Sequence, residues 1–370
     1  MRILNSFRTP LVQFRRNLWA QAAVYSETGD ASSVLRVIQR ELPELTNDEI
    51  VVKMLAAPVN PSDLNQIEGT YPVKGRFSIV AGERVAVGGN EGVGVVTAVG
   101  NGVCDFAVGD WVVPRRAGEF GTWCTHTVVG QEQVTKVPLE WRHNVDALTV
   151  GSMKVNPSTA YRLLRDYVDL VPGDWVIQNG ANSGVGRAVI QMARAIGVRT
   201  INVVRDRPPE EYGLLERELR LLGADLVVRD TELSSDTFKT QIRALGAVKL
   251  GLNCVGGRMA LSMTKHLSAG ATLASYGGMS RQPVVMPTSL LLFKDIAARG
   301  FWMNRWYEHC GKEERDDMWR EILEMAGQGR FVTQPMQLAK WNDLLPLDEA
   351  QALVATAVAW GGAKHAFVFP

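Results

Sequence analysis

The chain has 370 residues, of which 46% are hydrophobic and 21% are charged. This composition is typical of a globular protein with a substantial core, and the length fits about two domains. Lys and Arg number 40 against 39 Asp and Glu, and a net charge of only +1 argues against nucleic acid as an obligate partner. No apolar run approaches the ~18 residues that cross a bilayer, so we expect no transmembrane segment.

The N-terminus has a composition of its own. The first 24 residues contain four arginines, with Leu, Phe and Trp between them, and the first acidic residue is Glu27. An Arg-rich, acid-free and amphipathic start is typical of a mitochondrial presequence. We therefore predict a presequence over residues 1–21 and localisation in the mitochondrial matrix. The alternative is the basic N-terminus of a cytosolic protein.

The segment from residue 22 to about residue 150 predicts a β-rich domain. Short runs rich in β-branched residues, at 50–52, 94–99 and 111–114, are separated by Gly, Asn and Asp. The sequence F-A-V-G-D-W-V-V predicts a hairpin or barrel corner with Gly109 and Asp110 in the turn.

After about residue 150 the pattern changes to an alternation of strand, glycine loop and helix. Apolar strands are predicted at 174–178, 200–204, 226–228, 249–253 and 271–275, with helices at 186–196 and 216–222. Such alternation predicts an α/β fold with a doubly wound parallel sheet and crossover helices. The chain ends in A-K-H-A-F-V-F-P, a strand that we expect to return to the first domain.

The loop Q-N-G-A-N-S-G-V-G-R-A, at residues 178–188, is an imperfect form of the G-x-G-x-x-G nucleotide fingerprint. Gly184 and Gly186 would let the backbone approach a phosphate at a helix N-terminus, where unpaired N–H groups and the helix dipole favour an anion. Asn182 and Ser183 add side-chain donors. The alternative is a strand-to-helix turn without a ligand.

A basic corner follows about 20 residues later, at the position where a Rossmann fold contacts the cofactor ribose. The strand at 200–204 leads into R-D-R, Arg205, Asp206 and Arg207, instead of into an acidic residue. Two guanidinium groups are suited to the 2′-phosphate of NADP, and Asp206 would orient one of them. Loop and corner together predict bound NADPH; otherwise both arginines are solvated surface charges.

The sequence lacks the residue patterns that several kinds of catalysis require. The four cysteines lie far apart and form no C-x-x-C pair, so we expect free thiols. Neither they nor the five histidines have the spacing of zinc ligands, so we expect no zinc site. No Tyr-x-x-x-Lys pair follows the nucleotide loop and no G-x-S-x-G motif is present.

Hydride transfer to an activated double bond requires only a proton donor for the α-carbon, and a neutral tyrosine with a pKa of ~10 can supply it. Tyr71 is the candidate, because it lies in the polar, Pro- and Gly-punctuated segment A-P-V-N-P-S-D-L-N-Q-I-E-G-T-Y-P. On the pattern alone, a packed or surface tyrosine is the open alternative.

Five stretches together resemble the mitochondrial trans-2-enoyl-thioester reductases, which form part of the zinc-free branch of the medium-chain dehydrogenase/reductase superfamily. They are V-N-P-S-D-L-N-Q-I-E-G-T-Y-P, G-G-N-E-G-V-G, N-G-A-N-S-G-V-G-R-A-V-I-Q, R-T-I-N-V-V-R-D-R-P and S-Y-G-G-M-S-R-Q-P-V. The resemblance implies a GroES-like catalytic domain built from residues 22–150 and 305–370, and a Rossmann NADPH-binding domain over residues 151–304. It also implies a homodimer that performs the last reductive step of mitochondrial fatty acid synthesis.

The resemblance also implies the site residues. Tyr71 becomes the proton donor. Cofactor contacts are expected at Asn156, Asn182, Ser183, Gly184, Val185, Gly186, Arg205, Asp206, Arg207, Tyr276, Gly277, Gly278, Met279, Phe301, Trp302, Met303 and Lys364. Trp302 has core packing as its alternative.

Further expectations concern the substrate, a 2-enoyl thioester on coenzyme A or on acyl carrier protein. The segment after Tyr71 is longer and more basic than the family pattern, and Lys74 and Arg76 there are candidates for contact with pantetheine phosphates or an acidic carrier, or are solvated charges. Donors near Asn60 or the Y-G-G-M loop would hold the thioester oxygen. A quinone oxidoreductase of the same superfamily and a non-catalytic NADPH-binding protein are the rival functions.

Overall fold

The structure is a computed structural model that describes residues 18–80, 82–359 and 363–370. Most of the expected presequence, residues 1–17, lies outside the described residues. Its last part, Trp19 to Gln21, forms the start of the first strand, where the Gln21 side chain donates to the Leu345 carbonyl at 2.6 Å and accepts from Trp341 Nε1 at 2.7 Å. These three residues are therefore part of the folded chain.

The N-terminal half is rich in strands. In chain order its elements are β1 (Trp19–Tyr25), α1 (Ala31–Val34), β2 (Arg36–Glu41), β3 (Glu49–Pro58), α2 (Pro61–Ile67), β4 (Ser78–Val80), β5 (Glu83–Val87), β6 (Val93–Val99), β7 (Trp111–Pro114), β8 (His126–Gly130), β9 (Val134–Val137), α3 (Ala147–Gly151) and α4 (Asn156–Leu163). Short 3₁₀ turns follow β8 and β9. The expected turn between β6 and β7 is present, with Gly109 at a φ of 95°.

The second half begins with the predicted alternation of strands and helices. Its elements are β10 (Trp175–Asn179), α5 (Gly184–Ala195), β11 (Arg199–Val204), α6 (Pro209–Leu222), β12 (Leu226–Arg229), α7 (Asp236–Leu245), β13 (Val248–Asn253), α8 (Gly257–Thr264), β14 (Thr272–Ser275), β15 (Gln282–Val284), α9 (Thr288–Lys294), β16 (Ala297–Gly300), α10 (Met303–His309), α11 (Lys312–Gly327), β17 (Gln337–Lys340), α12 (Leu347–Ala357) and β18 (His365–Val368).

The second half builds a six-stranded sheet in the order β12-β11-β10-β13-β14-β16, and all of its strand pairs are parallel. The central strands are buried on both faces, which explains their continuous apolar sequences. Counted along the chain, this is the 3-2-1-4-5-6 order of a Rossmann sheet. The predicted α/β fold with a doubly wound parallel sheet is confirmed, and the order reverses between β10 and β13, where ligands bind in such folds.

The strand-rich half contains two sheets. A four-stranded sheet has the order β2-β1-β5-β4, and a larger one runs β17-β18-β3-β6-β7-β9, with β8 paired to β3. The C-terminal strand β18 lies antiparallel to β3, with Phe367 opposite Ala57, so the end of the chain does return to the first sheet. The exact domain boundaries stay a prediction.

The two halves share one apolar core. Helix α11 contributes the buried side chains Met318 and Trp319 to it, α5 contributes Val185 and Ala188, and the large sheet contributes Val93. The segments that follow β10 and β16 also reach the strand-rich half, because Gly184 lies beside Asn156 and Trp302 bonds Tyr71, and the candidate site is built at this junction. No helix in the described part of the chain is long and apolar enough to cross a membrane.

Candidate active site

The nucleotide loop joins β10 to α5 and is shaped by its glycines. Ser183 is the N-cap of α5, and its hydroxyl accepts from the Gly186 backbone N–H at 3.1 Å. A Cβ on Gly186 would lie 2.6 Å from the Ala181 carbonyl oxygen, and one on Gly184 would lie 2.7 Å from Asn156 Nδ2. The backbone contact excludes a larger residue at Gly186, whereas a Cβ at Gly184 would displace the ends of the Asn156 and Gln334 side chains. The start of this 12-residue helix keeps backbone N–H groups free for an anion.

The expected contacts in this loop differ in what they present. Asn182 is exposed at the surface, whereas the Val185 side chain is 8% exposed and packs into the shared core. Only the backbone of Val185 is therefore available to a ligand. Asn156, the first residue of α4, lies beside Gly184 and brings a polar side chain from outside the loop.

The basic corner follows β11. Arg205 is exposed, Arg207 is half-buried, and Arg207 Nε donates to the Arg205 carbonyl at 3.2 Å. Within residues 18–80, 82–359 and 363–370, neither guanidinium forms an ion pair with a carboxylate. Both cations are thus available to a phosphate group.

The expectation that Asp206 orients one of these arginines is wrong. Its carboxylate lies 3.4 Å from the guanidinium of Arg229, the last residue of β12, which stacks 4.2 Å from the ring centroid of Tyr212. Asp206 and Arg229 occupy the ends of neighbouring parallel strands, so a residue that is 23 positions away in sequence becomes the nearest partner. Sequence spacing did not indicate Arg229.

The loop after β14 folds over the end of β13. The Tyr276 N–H donates to the Asn253 carbonyl and the Met279 N–H to the Cys254 carbonyl, both at 2.9 Å. Gly277 and Gly278 lie between these anchors. Burial raises the pKa of Tyr276 well above its ordinary value, so this phenol stays neutral. The loop forms one wall of the crevice where the strand order reverses.

The three residues after β16 point in different directions. Phe301 packs edge-on against Tyr167, with ring centroids 6.5 Å apart, and the Met303 side chain is 7% exposed within the shared core. Trp302 is half-buried, and its indole Nε1 donates a hydrogen bond of 2.8 Å to the Tyr71 hydroxyl oxygen. Trp302 thus has a specific polar partner on the opposite half of the molecule.

Tyr71 is fixed from two sides. Its backbone N–H donates to the Asn65 carbonyl at 3.1 Å, and its ring meets that of Trp302 edge-on, at 82° and 6.1 Å between centroids. Because Trp302 occupies an acceptor site of the phenol oxygen, the hydroxyl hydrogen is left to donate elsewhere. Burial raises the pKa of Tyr71, whereas the Trp302 hydrogen bond acts in the opposite direction because it stabilises the phenolate.

Two buried and two half-buried polar residues form a cluster that we call the Asn60 junction: Asn60 and Glu91, with Asn156 and Lys364. Asn60 Oδ1 accepts from Lys364 Nζ at 2.7 Å and from Asn156 Nδ2 at 3.3 Å, while Asn60 Nδ2 donates to Glu91 Oε2 at 2.8 Å. The second oxygen of Glu91 accepts from the Val155 N–H at 2.7 Å. Asn60 is 2% exposed and both ends of its amide form hydrogen bonds. The expectation that donors near Asn60 or in the Y-G-G-M loop hold the thioester oxygen stays a prediction.

A second buried carboxylate supports the same region. Asp63 accepts from the Asn60 N–H at 2.8 Å and from the backbone and side chain of Asn90 at 3.1 and 2.9 Å. Burial raises the pKa of Asp63 to about 6 and that of Glu91 to about 7, and Lys364 opposes both shifts. Burial also lowers the pKa of Lys364.

The sequence analysis assigned no role to Glu91, Asp63 or Asn90. Asn90 and Glu91 were visible as polar residues inside the glycine-rich run G-G-N-E-G, and Asp63 follows Asn60 in N-P-S-D at the spacing of a capping box. Such residues are buried only when they are paired.

Lys74 and Arg76 are exposed, and Lys74 Nζ donates to the Gly69 carbonyl at 3.0 Å. In the described residues, no group of three or more His, Cys, Asp or Glu side chains is arranged to hold a metal ion.

Two family descriptions match separate parts of the chain. Residues 46–152 match the alcohol dehydrogenase GroES-like domain, and residues 184–326 match the zinc-binding dehydrogenase family. Both matches agree with the division into a strand-rich half and a Rossmann sheet.

Known proteins resemble the whole chain. It is 42% identical to the mitochondrial enoyl-(acyl-carrier-protein) reductase of Xenopus tropicalis, across 86% of this chain and 88% of that protein. The fold matches the Etr1p complex with NADP and crotonyl-CoA, with a TM-score of 0.86 and 34% identity over 95% of this chain and 100% of that one. It also matches the mitochondrial 2-enoyl thioester reductase Etr1p/Etr2p heterodimer from Candida tropicalis, with a TM-score of 0.88 and 33% identity over 95% and 100% of the two chains.

A mycobacterial quinone oxidoreductase shares the fold at 24% identity and a TM-score of 0.71, covering 94% of this chain and 99% of that one. That likeness is one of fold alone. The enoyl reductases match at higher identity, 42% over 86% of this chain and 34% over 95% of it. This chain therefore belongs to the family of mitochondrial enoyl-(acyl-carrier-protein) reductases.

Proposed function

We propose that this protein reduces trans-2-enoyl thioesters to saturated acyl thioesters with NADPH. The observation that carries the proposal is the Tyr71 hydroxyl, which Trp302 holds at the junction between the strand-rich half and the carboxyl edge of the Rossmann sheet. A proton donor at that place is what reduction of an activated double bond requires beyond the hydride.

The residues at the sheet edge fit NADPH. Gly184 and Gly186 leave room for a pyrophosphate at the start of α5, and Arg205 and Arg207 have no carboxylate partner in the described residues that would compete for a 2′-phosphate. In the Etr1p complex, a protein of this family is described with NADP and crotonyl-CoA. We propose that the Y-G-G-M loop, Phe301, Trp302 and Lys364 border the same crevice, whereas the Met303 side chain is buried in the shared core and offers only its backbone.

NADPH bound in this crevice supplies a hydride for the β-carbon of the enoyl group. Negative charge then develops on the thioester oxygen and the α-carbon takes up a proton, which Tyr71 donates. The burial that raises the pKa of Tyr71 keeps the phenol protonated at neutral pH. The Trp302 N–H stabilises the phenolate that remains after the transfer, so one residue holds the donor and assists its ionisation.

The direct test compares electron acceptors. Purified protein is mixed with NADPH or NADH and with trans-2-hexenoyl-CoA or a benzoquinone, and oxidation of the cofactor is followed by absorbance. We expect rapid turnover with NADPH and the thioester and weak turnover with NADH. Turnover with the quinone alone would make the protein a quinone reductase, and tight NADPH binding without turnover on either acceptor would make it a non-catalytic binding protein.

The carrier of the acyl group is proposed to be acyl carrier protein, which is named in the enzyme's relatives. Lys74 and Arg76 lie exposed on the segment that follows Tyr71, where they would meet an acidic carrier or the pantetheine phosphate. We expect Lys74→Glu/Arg76→Glu to raise KM for the carrier-linked substrate and to leave KM for a short enoyl thioester without phosphate unchanged. Arg217→Glu, on α6, is the matched control, and an unchanged KM for the carrier-linked substrate would refute the role.

The protein is proposed to be a homodimer. Leu292 and Phe293, on α9, are 69% and 82% exposed, and Val285 is 50% exposed nearby in sequence. Helix α9 leads directly into β16, which is the edge of the six-stranded sheet and has a partner on one side only among the described strands. An apolar face beside an open strand edge fits a second copy of the same chain.

Light scattering tests the dimer. The wild type should have twice the mass of the chain, and Phe293→Glu should shift it towards a monomer. Leu344→Glu, at a site that is 92% exposed elsewhere, is the control and should remain dimeric. A monomeric wild type, or a dimeric Phe293→Glu, would contradict the proposed interface.

We also propose that the protein acts in the mitochondrial matrix, where it performs the last reductive step of fatty acid synthesis. The relatives are named as mitochondrial enzymes, and the acid-free N-terminus suits import. Because Leu18 accepts from the Leu42 N–H at 2.8 Å and Trp19 to Gln21 belong to β1, cleavage between residues 18 and 21 would remove part of the folded chain. N-terminal sequencing of the protein recovered from mitochondria would test both statements.

A further inference from the structure

We infer that Glu91 is a positioning residue: it fixes the orientation of the Asn60 amide and thereby holds Lys364 and Asn156 in the crevice. The inference rests on the proposed binding of NADPH and adds a residue to it. Glu91 lies just before β6, is 1% exposed, and has no place in the hydride or proton transfer described above.

The argument begins with the donors and acceptors around Glu91. A carboxylate only accepts hydrogen bonds, and its two oxygens are used by two donors, the Val155 N–H at 2.7 Å and Asn60 Nδ2 at 2.8 Å. The Asn60 amide is therefore turned with its nitrogen towards Glu91. Its oxygen must then face the opposite way.

On that opposite side, both neighbours are donors. Lys364 Nζ lies 2.7 Å and Asn156 Nδ2 3.3 Å from Asn60 Oδ1. An ammonium group has no acceptor, so a flipped Asn60 amide would place its own N–H hydrogens against the Lys364 ammonium. Only the orientation that Glu91 imposes satisfies all four contacts.

The orientation of Asn60 also affects the nucleotide loop before α5. Asn156 is the first residue of α4 and lies against Gly184, at the start of α5. Val155, which Glu91 holds by its N–H, is the residue directly before Asn156. Glu91 therefore acts on Asn156 twice, through the backbone of its neighbour and through the Asn60 side chain. It acts on Lys364 through Asn60 and through its charge, and Asp63 shares only this charge interaction with Lys364.

Glu91→Gln tests this arrangement with almost no change in shape. A glutamine has one acceptor end, whereas two donors face it, so either the Val155 contact or the orientation of Asn60 is lost. We expect the dissociation constant for NADPH, measured by fluorescence without substrate at pH 8, above the raised pKa of Glu91, to rise about tenfold, as expected for the loss of one hydrogen bond to a charged group. Asp63→Asn is the matched control: this buried carboxylate bonds the Asn60 backbone and Asn90 but no side chain of the junction, and it should change NADPH affinity less than twofold.

The double variant Asn60→Asp/Glu91→Gln separates positioning from a general loss of stability, because it exchanges the amide and the carboxylate. The introduced glutamine accepts from the Val155 N–H and donates to the introduced aspartate, whose other oxygen accepts from Lys364 and Asn156. We expect NADPH affinity within threefold of the wild type. Asn60→Asp alone places two carboxylates face to face and should bind NADPH at least as weakly as Glu91→Gln.

The inference is overturned if Glu91→Gln binds NADPH like the wild type, or if the double variant binds no better than Glu91→Gln while circular dichroism reports a folded protein. If the double variant does not fold, the inference depends on the two single variants and fails if either keeps wild-type affinity. Because these measurements use NADPH alone, they are independent of turnover. A wild type that binds NADPH but reduces no enoyl thioester would refute the proposed reaction and leave the role of Glu91 open to the same test.

Discussion

The hydrogen bond from Trp302 to Tyr71 predicts the effect of Trp302→Phe. The substitution keeps an aromatic ring for the edge-on contact at 6.1 Å between centroids but removes the indole N–H that donates at 2.8 Å. During the reaction the acceptor oxygen changes from a neutral phenol to a phenolate. The hydrogen bond is therefore worth more in the transition state than in the resting enzyme, and its loss acts on kcat.

The magnitude follows from this difference. A hydrogen bond between neutral groups contributes about 1 kcal/mol, and one to a charged group about 1.5 to 3 kcal/mol. The difference of about 0.5 to 2 kcal/mol corresponds to a decrease in kcat of about 2-fold to 30-fold. KM for NADPH should change less than kcat if the hydrogen bond acts only on the proton transfer.

The assay is steady-state oxidation of NADPH with trans-2-hexenoyl-CoA for four proteins: wild type, Trp302→Phe, Tyr71→Phe and the double variant. In the Tyr71→Phe background the indole has no oxygen to bond, so Trp302→Phe should cause no further decrease. Trp306→Phe, one turn further along α10, is the control and should keep kcat within about twofold. An unchanged kcat in Trp302→Phe, or equal decreases in both backgrounds, would refute the reasoning.

Three further predictions follow from the same structure. Arg205→Ala/Arg207→Ala should raise KM for NADPH about 10-fold to 100-fold and leave KM for NADH nearly unchanged, because both cations face the expected 2′-phosphate; equal effects on both cofactors would contradict this role. Gly186→Ala should lower the melting temperature and weaken NADPH binding, because the added Cβ would lie 2.6 Å from a backbone oxygen. Gly213→Ala, on α6 with open space around it, is the control and should do neither. Equal melting temperatures for the two variants would contradict the packing argument. Burial raises the pKa of Glu91 from 4.5 to about 7, so the folded protein binds this proton more tightly than the unfolded chain does, and the free energy of unfolding falls as pH rises through that interval. The stability of the wild type relative to Glu91→Gln should decrease by about 2 kcal/mol between pH 5 and pH 8, measured by urea unfolding, and a difference that does not vary with pH would contradict the shifted pKa.

The Rossmann sheet was predictable because its determinants are local. Each central strand is a short apolar run, and the loop before α5 combines Ser183 as the N-cap with Gly186, where a Cβ would collide with the backbone. These features are properties of adjacent residues, so the sequence displays them directly. The position of Tyr71 in a polar loop was visible for the same reason.

The contacts on which the chemistry of those residues depends could not be predicted from the sequence. Trp302 and Tyr71 are 231 positions apart, and only the packing of one half of the molecule on the other brings them to 2.8 Å. The Asn60 junction joins residues from four separate segments of the chain, and Asp206, just after β11, pairs with Arg229 at the end of β12. Parallel strands and domain contacts bring together residues that are distant in sequence, and nothing in a single sequence gives those distances.

The central claim is that Tyr71 donates the proton that completes the reduction of an enoyl thioester. The most direct measurement is NADPH oxidation with trans-2-hexenoyl-CoA by the wild type and by Tyr71→Phe, side by side, with NADPH binding measured on both. We predict rapid turnover by the wild type, a loss of about two orders of magnitude in Tyr71→Phe, and equal affinity for NADPH. Full activity in Tyr71→Phe would contradict the claim, because the proton would then come from another group.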